Sequence, residues 1–452
     1  MRLRKTITTI VATAILLAGW QLFAVIANQP ELIPSLPRLV RTLCEWLVSG
    51  SFYQSVGATI LRGILGMSIS FVCAIGMAGL FARFEWVYEL FRPLLAIMRS
   101  IPVISFILLA LIFLNPESIP LMIAFLTMFP LLTENLTRGI LDLRPGLSIM
   151  ARQFHIKRSN VLFQIIYPQL KPFLYSGLAS AAGFGWRAII MGEVLSQCAF
   201  GIGSEMKRAQ NFIAVPELLA WTIVAVFISF FFDKGISKVA DITPKISFAN
   251  EDQTIPTPTL SVLDTKDISY QYGIQHFSHS FQKGIIYGIN APSGKGKTTL
   301  LNLIGDILLP TEGEIHPTRH FGIATIFQQP QLLPHLTAEE NIILPLSSFL
   351  TEEKARRIAQ KHLQEMEMEP FGNRYPKELS YGQQQRIAIA RALAYPSPLL
   401  LMDEPFKGLD EALSHRIIER IREKQMKEER IILFTSHNPD EIRLLADEVI
   451  YL

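Results

Sequence analysis

The chain has 452 residues, of which 50% are hydrophobic and 18% charged, with a formal net charge of +3. So apolar a chain is unlike an ordinary soluble domain, and so small a charge argues against a protein that grips nucleic acid. Cys44, Cys73 and Cys198 are scattered, odd in number and without metal-ligand spacing, which excludes a disulfide framework. The length accommodates about three domains.

At the start, Arg2, Arg4 and Lys5 precede an apolar run from Ile7 to Ala27. That run is too long for a signal peptide, and no small-x-small cleavage site precedes Asn28. It reads as a first membrane helix with a cytoplasmic N-terminus. Further spans are predicted at 58–81, 93–114, 119–136, 173–195 and 214–232, six in all, so both chain ends are expected in the cytoplasm. Positive charge follows that topology. Arg138, Arg144, Arg152, Lys157, Arg158 and Lys171 fall between spans four and five, and Lys234, Lys238 and Lys245 follow span six. The predicted outer loops carry only Arg38, Arg41, Lys207 and Arg208. Within span five, Arg187 and Glu193 each need a partner or a water-filled cavity, because a charge at mid-membrane costs roughly 2.5–3.5 kcal/mol. Six residues apart, they point about 240° from one another around a helix, so they do not pair with each other. A contact to another span or to a second subunit is one reading. A translocation pathway, in which Arg187 favours an anion, is the other.

From Asp233 to Leu260 the composition turns to Pro, Thr, Asn and charge, as in an extended, mobile linker. Beyond it the apolar run 285–289 leads into Ala291-Pro292-Ser293-Gly294-Lys295-Gly296-Lys297-Thr298-Thr299, and then into the helical pattern 300–304. This strand–loop–helix setting is that of a P-loop. Gly294 and Gly296 let the backbone close around phosphate, Lys297 is placed for the β and γ phosphates, and Thr298 for Mg²⁺. Ala291 stands where the pattern asks for its first Gly. If that position needs φ > 0, the methyl group costs roughly 1 kcal/mol. Thr351–Glu367 reads as a charged, solvated helix. Leu379-Ser380-Tyr381-Gly382-Gln383 then opens a helix whose N-terminus suits an anion. The run 399–402 reads as a buried parallel strand that ends in Asp403 and Glu404. Asp403 is placed to hold Mg²⁺, and Glu404 to polarise an attacking water.

On these residues the C-terminal part resembles the nucleotide-binding domain of ABC transporters. That resemblance implies ATP and Mg²⁺ as ligands. It also implies further roles: Tyr272 stacking on adenine, Gln328 as the Q-loop glutamine that senses Mg²⁺, Asp410 in the D-loop, and His437 as the switch histidine near the γ-phosphate. Ser380 and Gly382, with Gln383 after them, stand where the family's signature touches phosphate, while Tyr381 replaces the usual first Gly of the pair. In the family, ATP lies between the P-loop of one subunit and the signature of the other. The resemblance therefore implies a homodimer, or a related half in place of one copy.

The N-terminal part resembles permeases of the nitrate/sulfonate/taurine import type from about Ile33 to Asp233. The turn Ile33-Pro34-Ser35-Leu36-Pro37, the stretch Arg99-Ser100-Ile101-Pro102 and the segment Gly185–Glu193 carry it. The loop 149–168 aligns with the family's E-A-A…G…I-x-L-P stretch at Ala151, Ile165 and Pro168, with His155 at the Gly position. The resemblance implies a short coupling helix that docks on the ATPase, with Arg152, Phe154, His155 and Arg158 as contact candidates. The expected fold is an all-α, six-helix transmembrane domain (1–240), a linker (241–260) and an α/β P-loop ABC domain (261–452). The expected function is half of an ATP-driven importer in the inner (plasma) membrane. Its solute would be a small anion such as a sulfonate or nitrate, delivered by an extracytoplasmic binding protein. An exporter half-transporter is the alternative, because a membrane domain ahead of the ATPase is the usual exporter arrangement. The short loop 82–91 argues against the long cytoplasmic helices of exporters. A non-transporting regulator would be marked by loss of Glu404 or His437, and both are present.

Overall fold

The computed structural model describes residues 2–240, 244–253, 260–271, 273–292, 294–317 and 322–452. The chain divides into two compact units. One comprises residues 1–143 and 169–243, the other residues 144–168 and 244–452.

The first unit is helical. Among the described residues, four helices are long and apolar enough to cross a membrane: Gly50–Arg83, Pro116–Leu141, Arg158–Ser196 and Val215–Lys238. The predicted third span is broken. Glu85–Ser100 and Val103–Phe113 meet at 94°. The cause is local: Pro102 has no N–H to give and disfavours helical ψ at Ile101, which is extended (φ −71°, ψ 130°). The N-terminal helix Arg2–Ala27 carries a shorter apolar stretch, Val11–Ala27. Among the described residues the count by length and composition is thus four, or five with the bent pair, and Val11–Ala27 is the shorter stretch at the place of the predicted first span. Two helices that the sequence pattern did not announce, Leu36–Trp46 and Ile202–Asn211, lie in the predicted outer loops.

Glu193 finds its partner on another helix. Its side chain is fully buried, with Arg62 Nη1 at 2.7 Å. It also accepts from Thr59 Oγ1 at 2.9 Å and from the Gly203 N–H at 2.9 Å. Arg62 reaches Glu117 as well, at 2.6 Å. This is the structural contact between spans, and it stitches the helix Ile202–Asn211 to the bundle. Arg187, in contrast, is exposed and lines an open, apolar-walled cavity of about 710 Å³ with Trp186, Thr222, Ser229 and Asp233.

The second unit is built on two sheets. β1 (Val262–Tyr270), β2 (Ile274–Gln282) and β4 (Glu312–His316) form an antiparallel sheet in the order β2-β1-β4. β3 (Ile286–Asn290), β5 (Ala324–Ile326), β6 (Leu399–Asp403), β7 (Ile431–Thr435) and β8 (Glu448–Tyr451) form a second sheet in the order β5-β6-β7-β3-β8. Its pairs are parallel. Every residue of β6 and β7 is buried, which explains their unbroken apolar runs. In such a sheet the groups that do chemistry collect at the carboxyl ends of the strands.

Part of the segment read as a mobile linker is held in place. Ala249 N–H bonds to Ser347 O at 3.0 Å and Gln253 N–H to Phe349 O at 2.8 Å. Asp252 accepts from Thr351 N–H at 2.9 Å. Ile246 and Phe248 pack on the core. Backbone pairing of this kind is not visible in a Pro- and Thr-rich composition.

Candidate functional site

The site forms where β3 and β6 end. Gly294 (φ 81°) and Gly296 (φ 89°) take the left-handed conformation that lets the loop turn into the helix Lys297–Ile304. A Cβ on Gly296 would lie 2.6 Å from Gly273 O, so this glycine is fixed by close approach as well as by φ. Ala291 is not among the described residues with positive φ, so the penalty feared for its methyl group does not arise. Its carbonyl accepts from Lys297 Nζ at 2.6 Å. Tyr272 and Ser293, assigned from the sequence to adenine and phosphate, lie outside the described residues. Pro292 and Thr299 flank the loop within it, and Lys295 N–H turns back to Pro292 O at 3.3 Å.

Parallel pairing sets Asp403 of β6 beside Thr435 of β7. Thr435 Oγ1 donates to Asp403 Oδ1 at 2.7 Å and accepts the Glu404 N–H at 3.0 Å. Asp403 Oδ2 accepts from Thr298 Oγ1 at 2.9 Å. Thr298, Gln328 and Asp403, the residues read as Mg²⁺ ligands, line one pocket of about 270 Å³ with Thr325, Gln329 and Gln331. Hydroxyl, amide and carboxylate oxygens are the hard donors that Mg²⁺ takes alongside water, so the donor set fits that ion. Burial raises the Asp403 carboxyl above its usual range. Hydrogen bonds from Thr435 and Thr298 and the charge of Lys297 oppose this, while Glu404 adds to it.

Glu404 is left-handed (φ 49°), a conformation that costs a non-glycine residue about 1 kcal/mol or more and is concentrated at functional sites. Its Oε1 meets His437 Nε2 at 2.8 Å and its Oε2 meets Lys407 Nζ at 3.1 Å. Burial pushes its carboxyl up, but Lys407, Gln328 and His437 outweigh burial and hold it below the ordinary value. His437 Nδ1 faces Lys297 Nζ at 3.4 Å. That arrangement suits a neutral imidazole that accepts from the lysine and donates its Nε2–H to Glu404. Lys297, His437 and Glu404 are therefore one connected chain. Lys407 and Thr435 belong to this cluster too, and motif reading passed them over. The cue was their position, three residues after Glu404 and two before His437.

Ser380 caps the helix Tyr381–Ala394, accepting the Gln383 N–H at 3.3 Å while Gln383 Oε1 accepts the Ser380 N–H at 2.9 Å. Asp410 caps the helix Glu411–Glu428 through Leu413 N–H at 2.9 Å. Neither Ser380 nor Gly382 lines the pocket that holds Thr298 and Asp403.

The segment 144–168 packs as part of this unit. Its helix Pro145–Gln153 approaches the strand β5 and the turn after the P-loop helix. Gln153 O accepts the Ile323 N–H at 2.8 Å, and Arg152 Nη2 donates to Asp306 O at 2.9 Å. Phe154 is fully buried, edge-on to Tyr395 at 5.1 Å and beneath the Arg391 guanidinium at 5.5 Å. Of the four contact candidates, Arg152, though exposed, and Phe154 make these contacts, whereas the exposed His155 and Arg158 side chains make no hydrogen bond among the described residues. His155 has φ 46°, which explains why its position aligns with a glycine. Two contacts were not anticipated. Gln153 also bonds Gly305 O, and Asn160 ties Ser247 O and Ser347 Oγ, each at 2.8 Å.

Comparison with known proteins agrees with both halves. Residues 274–407 match the ABC transporter family, and residues 56–233 match the family described as the binding-protein-dependent transport system inner membrane component. An uncharacterized ABC transporter ATP-binding protein of Methanocaldococcus jannaschii is 34% identical over 201 residues, which is 40% of this chain and 85% of that protein. A Fe(3+) ions import ATP-binding protein of Rhizobium etli is 35% identical over 40% of this chain and 54% of its own length. A glucose import ATP-binding protein of Saccharolobus solfataricus is 35% identical over 38% and 52%. The chain thus spans most of the first relative and about half of the length of the other two.

Proposed function

This chain belongs to the ABC transporter family, with permease and transport-coupled ATPase on one polypeptide, and from that we propose that it is half of an ATP-driven importer. The observation that carries the reading is the segment 144–168. One short helix and its flanks, arising between apolar helices, pack as an integral part of the ATP-binding unit. Such packing supports the coupling element that the importer resemblance implies. Two of the relatives named above are import ATP-binding proteins.

In this reading six spans cross the inner (plasma) membrane, the third through a broken helix, with the N-terminus and the ATPase in the cytoplasm. Two copies, or one copy and a related half, pair so that Lys297 and the loop 291–299 of one face Ser380, Gly382 and Asp410 of the other. Ser380 and Gly382 stand outside the Thr298–Asp403 pocket of their own chain, which favours their serving a second one. Tyr272 stacks on adenine. Thr298, Gln328 and Asp403 would hold Mg²⁺, which would supply charge neutralisation on the phosphates. Glu404 orients the attacking water, and His437 stands between it and Lys297 beside the γ-phosphate. Arg152 and Phe154 transmit the closure of the ATPase halves to the spans, with His155 and Arg158 at the edge of the contact.

A separate binding protein delivers the solute. Among the described residues Arg187 has no hydrogen bond or ion pair, and it opens on the 710 Å³ cavity. An unpaired cation there favours a small anion such as a sulfonate or nitrate.

The test is ATP hydrolysis by the full chain in lipid discs, with and without candidate binding proteins, beside Glu404→Gln. Stimulation by one loaded binding protein is the expected result, and the ligand eluted from that protein names the solute. Hydrolysis that Glu404→Gln abolishes but no binding protein alters would favour the exporter reading instead.

A further inference from the structure

Tyr381 stands where the family's signature has its first glycine, and its side chain reaches two other loops. Its hydroxyl donates to the backbone carbonyl of Gln328 at 2.7 Å. Its ring lies on Gly408, so closely that a Cβ there would come within 2.8 Å of Tyr381 Cδ1. The neighbouring Gly382 approaches the same turn, with room for no Cβ nearer than 2.5 Å to Gly408 O. Farther along the signature helix, the buried Arg391 donates to Pro330 O and Gln331 O, each at 2.8 Å. The Q-loop is thus tied to this helix at both ends, by Tyr381 at residue 328 and by Arg391 at residues 330 and 331. Without the phenol only the far end is tied.

The near end is the one that touches the reacting centre. The Gln328 side chain interacts with the Glu404 carboxylate, and Lys407, next to Gly408, holds Glu404 Oε2 at 3.1 Å. Tyr381 therefore touches the backbone of one Glu404 partner and packs on the turn that presents a second.

We propose that Tyr381 is a positioning residue for ATP hydrolysis, its hydroxyl fixing the Gln328 backbone and thereby the orientation of Glu404. The proposal rests on the reading of Glu404 as the residue that orients the attacking water. A glycine at this position offers no such restraint. A tyrosine that merely filled space would act through its ring, and phenylalanine would replace it without effect.

The experiment compares the full chain in lipid discs as wild type, Tyr381→Phe, Tyr381→Gly and Glu404→Gln. Tyr381→Phe keeps the ring on Gly408 and removes one hydrogen bond, so kcat is expected to fall about three- to tenfold with KM for ATP within about twofold. Tyr381→Gly is expected to share the loss of kcat. Wild-type kcat in Tyr381→Phe would overturn the proposal and leave a packing role. A raised KM at unchanged kcat would overturn it in favour of a nucleotide contact. Hydrolysis that survives Glu404→Gln would sink the reading of Glu404 itself, whatever Tyr381→Phe does.

Discussion

Phe154→Ala is the sharpest test of how the segment 144–168 is held. Phe154 is fully buried, packs on Tyr395 and covers one face of the buried Arg391 guanidinium. Truncating a buried Phe costs about 3–5 kcal/mol, cavity included. The lost cation–π contact belongs to the same figure, because Arg391 keeps its two carbonyl partners. Each 1.4 kcal/mol is tenfold in an equilibrium, so the segment's opening should become about two to three and a half orders of magnitude more favourable. Two amides report it directly. Ile323 N–H is bonded to Gln153 O, and Lys157 N–H to Ser348 Oγ. Hydrogen exchange on the full chain in lipid discs should show both accelerated by that factor in Phe154→Ala. Phe154→Leu, which keeps most of the volume, should cost under about 1.5 kcal/mol and accelerate them about tenfold at most. Exchange at Ile323 and Lys157 within about threefold of wild type in Phe154→Ala would refute the claim that this ring holds the segment.

The left-handed His155 predicts that His155→Gly slows Lys157 exchange by a few-fold, a gain of about 0.5–1 kcal/mol, whereas β-branched His155→Val speeds it. Glu193→Ala strips a buried carboxylate from Arg62, Thr59 and Gly203, and should destabilise the full chain by about 3–5 kcal/mol; Glu193→Gln, which still accepts from Thr59 and Gly203, should do less harm to the melting temperature. An unchanged melting temperature in Glu193→Ala would show that the cluster holds nothing together. Burial, with Lys424, Lys361 and Arg430 near by, pushes the buried His362 down to about 3, against the Glu365 carboxylate 2.7 Å from its Nδ1. The unfolded chain takes up that proton from about pH 6.5 downward, the folded chain only near pH 3. Stability from this residue is therefore complete above about pH 6.5 and is lost as pH falls, by up to about 1.4 kcal/mol per unit. His362→Gln should flatten the acid side of thermal inactivation, and an unaltered slope would contradict the assignment.

The sequence by itself determined the local elements of the ATP-binding half. A phosphate loop needs glycines at positive φ, a cation and a hydroxyl within a few residues, and a parallel core strand needs an unbroken apolar run. Such requirements are local, so 291–299 and 399–404 could be read from neighbours in the chain. The charged helix at Glu352–Glu365 and the capped helix at Tyr381–Ala394 were legible for the same reason.

What depended on distant residues was not legible. Thr435 bridges Asp403 and Glu404 only because β6 and β7 pair in that register. Lys407 matters only because the turn after β6 folds it back onto Glu404. Nothing near Glu193 in the sequence points to Arg62, which lies 131 residues away. Hydropathy sees composition, not direction, so it read through the 94° break at Ile101-Pro102 as one straight span. The same holds for residues 244–253: their composition describes a linker, and hydrogen bonds to residues 160 and 347–351 and the packing of Ile246 and Phe248 hold them. Motif residues are placed by their own few neighbours, whereas partners in a buried polar network are placed by the packing of the whole unit, and that information exists only once the chain has folded.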